Sequence, residues 1–91
     1  MPTFRTFGTW LRAYAGDGPI GDLRDDFLSD CRRRNILVSS IKTGAEMDAL
    51  MRKTCWEWGC RRIPLEGYKA LEEACILYGD PWRRERDEHD Y

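Results

Sequence analysis

Large apolar side chains in this chain recur three and four residues apart, in four separate segments. Phe7, Trp10, Leu11 and Tyr14 set the pattern, a spacing that puts every bulky group on one face of an α-helix and excludes the two-residue alternation of a strand. The first helix is expected over residues 4–15, with Gly16 as a left-handed cap. Asp17-Gly18-Pro19 then forms a turn, Asp17 or Gly18 capping a second helix whose first position suits the proline. That helix carries Leu23, Phe27, Leu28 and Cys31 and ends near Arg32-Arg33-Arg34, cations that complement its negative end. Thr43 and Glu46 fit a capping box opening a third helix, with Met47, Leu50, Met51, Thr54 and Trp58 inward and Gly59 as the stop. Ile63 and Pro64 open a fourth, through Tyr68, Leu71, Cys75 and Tyr78 to Gly79-Asp80-Pro81.

Between the second and third helices lies Asn35 to Ser40, NILVSS, a β-branched run with no second strand-like run to pair with. It reads as a buried extended connector. The fold class is therefore all-α, a compact four-helix bundle in one domain over residues 1–82. The charged tail, 83–91, is expected to fray or to add a fifth, solvated helical turn. Ninety-one residues with 42% hydrophobic content suit a single small core.

The segment Phe7 to Asp30, reading F-x-x-W-L, a short turn, then P-I-G-D-L-x-x-D and an aspartate four residues on, resembles the YozE family of small bacterial proteins. Trp10, Pro19, Ile20, Gly21, Asp22, Leu23 and Asp26 carry the resemblance, and Leu65, Leu71, Ala74 and Tyr78 look like the family's closing helix. The likeness spans roughly residues 4–82 and implies a fold similar to the sterile alpha motif. It implies no activity, because sterile-alpha-like folds serve protein association and nucleic-acid binding alike.

Fifteen basic and sixteen acidic residues leave a net charge of -1, so no global field draws the chain to nucleic acid or an anionic membrane. Residues 1–45 carry +2 and the remainder -3. The apolar runs are too short to span a bilayer, and the first residues lack a secretory signal pattern, which predicts a cytoplasmic chain. Cys31, Cys55, Cys60 and Cys75 then read as thiols, mostly buried small apolar groups, with a Cys55–Cys60 redox pair or a metal site as alternatives.

Catalytic parts are missing from the pattern. His89 is the one histidine, no strand-turn-helix elbow frames Ser29, Ser39 or Ser40, and Gly16, Gly18 and Gly21 miss phosphate-loop spacing. A non-enzymatic chain without cofactor or metal is the expectation. Asp22, Asp26 and Asp30 step by four along one helix face. A divalent metal is one reading of them. The preferred reading is structural: acid near a helix N-terminus, Asp30 paired with Arg33 or Arg34, and Asp22 or Asp26 paired with Arg5 or Arg12.

Trp56 and Trp58 stand about 200° apart on the third helix, so an inward Trp58 turns Trp56 outward. Either NILVSS or the tail covers it, or Trp56 anchors a partner, and Trp82 poses the same choice. With Arg32, Arg33, Arg34, Arg61 and Arg62 these tryptophans form the expected interaction surface. A protein partner follows most directly, as for an inhibitor or adaptor encoded by a phage or mobile element. The alternatives are nucleic-acid binding through the arginines, which extend to Arg83, Arg84 and Arg86, and self-association into a homo-oligomer.

Overall fold

Helix caps and stops divide the chain where the residues can satisfy free backbone groups. The computed structural model describes residues 6–57, 59 and 65–82. Four helices run as α1 (Phe7–Ala13), α2 (Gly18–Arg34), α3 (Gly44–Glu57) and α4 (Leu65–Tyr78), with a 3-10 turn at Val38–Ser40. No strand occurs among the described residues, and none of the helices they form is long and apolar enough to cross a membrane.

α1 is shorter than its apolar spacing suggests. Thr6 is already extended and caps the helix, its hydroxyl oxygen accepting from the Thr9 amide at 3.2 Å. At the other end Tyr14 is extended, and Gly16 is not the left-handed cap expected of it, because the described glycines with positive φ are Gly18, Gly59 and Gly79. Arg24, reaching back from α2, closes this turn instead. Its guanidinium donates to the carbonyls of Tyr14 (2.5 Å) and Gly16 (3.1 Å). A charged donor on two otherwise free carbonyls does the work of a glycine cap.

α2 follows the expected signals. Gly18 takes φ 79°, Pro19 falls at the helix start, and Asn35 adopts the left-handed conformation (φ 60°) that ends the helix. No acidic residue lies in its first turn. Asp22, Asp25 and Asp26 therefore sit beyond the reach of the unpaired amides, where the dipole contributes little. Asp22 and Asp25 thus fall in the second turn, within the expected first two, and Asp26 just past it.

The connector is corrected. NILVSS is extended only around Leu37, which is 75% exposed, and then closes into a 3-10 turn at Val38–Ser40, while Ile36 and Val38 are half-buried against the core. Ser40 accounts for the turn: both its amide (3.0 Å) and its hydroxyl (2.6 Å) donate to the Leu37 carbonyl, the local bonding by which serine competes with extended structure. Against this turn α1 packs closely. The Phe7 and Gly8 amides donate to the carbonyls of Lys42 (3.1 Å) and Ile41 (2.8 Å), so two orphan donors of α1 are satisfied from the middle of the chain.

Thr43 caps α3 as its sequence requires, accepting from the Glu46 amide at 3.2 Å. Met47 and Leu50 are buried, while Met51 and Thr54 are half-buried. Trp58 and the expected opening of α4 at Ile63 and Pro64 lie outside the described residues, as do the tail 83–91 and Cys60. Along α4, Tyr68, Leu71 and Cys75 are buried at the predicted spacing. Gly79 ends the helix at φ 97°, with the Gly79 and Asp80 amides both donating to the Cys75 carbonyl at 3.1 Å, a Schellman-type closure.

The core joins Phe7 and Leu11 from α1, Leu23 and Phe27 from α2, Met47 and Leu50 from α3, and Leu71 and Cys75 from α4. Trp10 covers its edge beside Phe7 and Tyr78, with ring centroids 5.8 Å from each. Burial pushes the Cys75 thiol up to about 12, and Cys31 is raised for the same reason. Both are packed within the core as small apolar filling.

Candidate functional site

On α2 two rows of side chains run side by side. Leu23 and Phe27 face the core, and Asp22 and Asp26, each one residue earlier, lie about 100° around the helix at the edge of that face. α2 packs along α4, and α4 against α3, but α2 and α3 make little direct contact among the described residues. The space between them is a groove of about 600 Å³. Leu23, Phe27, Met47, Met51 and Ala70 give it an apolar floor, and Asp22, Asp26 and Asp30 from α2 with Glu66 from α4 give it an acidic rim.

Asp30 pairs with Arg33 one turn on. Asp22 and Asp26 form no ion pair among the described residues, and Arg12, one expected partner, lines a different depression with Leu28 and Arg32. The other, Arg5, is outside the described residues. Burial, then the charges of Asp30, Asp22 and Asp25, push the Asp26 carboxyl up from its ordinary 3.8. Among the described residues no cation relieves this repulsion at Asp22 or Asp26. Asp22, Asp26 and Asp30 do not converge, and among the described residues no three His, Cys, Asp or Glu side chains gather as a group that could hold a metal ion.

A measurable consequence follows for stability. Asp26→Asn removes two like-charged i,i+4 pairs and should stabilise the fold by about 0.5 kcal/mol at pH 7, or about 2–4 °C in Tm. The sign reverses no other trend: a raised carboxyl disfavours the native state only where it is ionised, so the advantage shrinks as pH falls and is gone below about 3.8. Thermal melts of both proteins from pH 7 to 3 check it.

The described members of the expected interaction surface differ in how far they remain open. Trp56 is 83% exposed on α3, and the connector does not cover it. Beside it Glu57 accepts two bonds from Arg34 of α2, at 3.0 and 2.5 Å, which hold its carboxyl below the usual range. Arg33 and Arg34 are therefore engaged within the fold, while Arg32 is exposed. Trp82 is half-buried against the core beside Gly44, so much of its ring is already used. Arg61 and Arg62, like Arg83, Arg84 and Arg86, lie outside the described residues, as does His89.

Sequence reasoning missed the groove itself, Arg24, and a buried aspartate. Asp48 is 8% exposed in α3 and pairs with Arg52 at 3.1 Å. Asp48 and Tyr68 together hold the Arg52 guanidinium above its ordinary value, linking α3 to α4. An i,i+4 Asp-Arg pair was the available signal.

Fold and site define a small all-α bundle with an acid-rimmed apolar groove and an exposed tryptophan. No protein-family model, curated protein or solved structure matches the chain.

Proposed function

We propose that this protein is a small, non-enzymatic binding module whose partner is another protein, built on a sterile-alpha-like bundle. The exposed indole of Trp56 carries the reading. An aromatic left open to water beside charged neighbours has the composition of an interface anchor, and the core gains nothing from it. Two observations weigh against the nucleic-acid alternative. Arg33 and Arg34 are tied to Asp30 and Glu57, and the groove between α2 and α3 is rimmed with carboxylates that repel phosphate.

Trp56→Ala should leave the melting temperature within about 2 °C, as for other exposed substitutions. The same change should abolish capture of a protein from lysate in a pull-down that nuclease treatment leaves unaffected. A large fall in Tm with capture unchanged, or capture lost on nuclease treatment, would refute the proposal.

A further inference from the structure

We infer that the groove between α2 and α3 seats the apolar edge of a basic amphipathic helix from the partner protein. The inference rests on the protein-binding reading above but uses a different surface from Trp56. Charge complementarity identifies the occupant. Four carboxylates line the groove, Asp22, Asp26, Asp30 and Glu66, and none of its described lining residues is cationic. Only Asp30 has an ion pair among the described residues. A ligand bringing positive charge relieves the repulsion that the isolated fold carries, and an acidic one adds to it.

The spacing fits a helix. Asp22, Asp26 and Asp30 rise about 6 Å apart along α2, and lysines or arginines four residues apart on a helix lying alongside repeat at the same interval. The floor fits as well. A volume of about 600 Å³ holds a few large side chains, not a whole helix, which is how an amphipathic helix docks through anchors at i, i+3 or i+4 and i+7. Met47 and Met51 contribute flexible, polarizable walls that can repack around such anchors.

The probe is a peptide of about five helical turns with leucines on one face and lysines every fourth residue beside them, titrated into the full chain at low salt by fluorescence anisotropy. A glutamate-for-lysine version and a scrambled version of equal composition are the controls. Saturable binding of the lysine helix alone is expected, weakening at least about tenfold in the D22N/D26N double variant. Met51→Lys should abolish it. The double variant folds at least as well as the parent because it loses like-charge repulsion, so its result stands even if Met51→Lys fails to fold. Trp56→Ala should leave peptide affinity within about twofold, which separates failure at the groove from failure at the tryptophan surface. Equal binding by D22N/D26N, by the scrambled peptide or by the acidic peptide overturns the inference. So does absence of binding, or a doubled mass in light scattering that the peptide does not change, which would place a second copy on this face.

Discussion

Phe7→Ala is expected to lower the melting temperature by about 15–30 °C, the equivalent of about 3–5 kcal/mol. Phe7 is 0% exposed, and its ring meets Trp10 in a stacked arrangement at 5.8 Å and Tyr78 edge-on at 5.5 Å. With Trp10 and Leu11 it holds a seven-residue helix onto α4. Truncation removes the ring contacts and leaves a void that neighbours fixed in two different helices cannot close. Leu37→Ala is the control, because Leu37 is 75% exposed, and it should move Tm by no more than about 0.5 kcal/mol permits. A Phe7 variant that melts within a few degrees of the parent would show that α1 is not held by this cluster.

The second large effect is one of sign. Alanine for glycine inside a helix ordinarily stabilises by about 0.5–1 kcal/mol. Gly8→Ala should instead destabilise by about 2–3 kcal/mol. A Cβ at residue 8 would collide with the Val38 carbonyl oxygen and stand 3.1 Å from that of Ile41, both backbone atoms that cannot rotate away. Relief requires α1 to lift off the 3-10 turn, which breaks the Gly8 amide bond to Ile41. Denaturant titration checks the loss, and faster hydrogen exchange at the Gly8 amide ties it to that contact. A stabilised variant would overturn the close packing.

The helices were legible because their evidence is local. Thr43 and Glu46 are three residues apart, Gly79 directly follows α4, and the Tyr68-Leu71-Cys75 spacing needs only its own neighbours. The groove was not, since Leu23, Phe27, Met47 and Met51 look alike in pattern. Which of them stays partly open depends on how far α3 stands from α2, a distance set by α4 behind both. Gly8 and Arg24 escaped for the same reason: one answers to residue 38, the other to carbonyls eight and ten positions back. Of the expected surface, Trp56 was placed outward by helix geometry alone, whereas Trp82 needed its packing against Gly44 to be seen.

Two peptide hydrogens at the head of α1 are held by oxygens of Ile41 and Lys42, and seven residues are too few for a helix to persist alone in water. On the ribosome the earliest of the described segments to emerge must therefore wait for a later one. The contacts that hold α1 all lie later in the chain: the 3-10 turn and residues 41 and 42 beneath its head, and Tyr78 of α4 against Phe7.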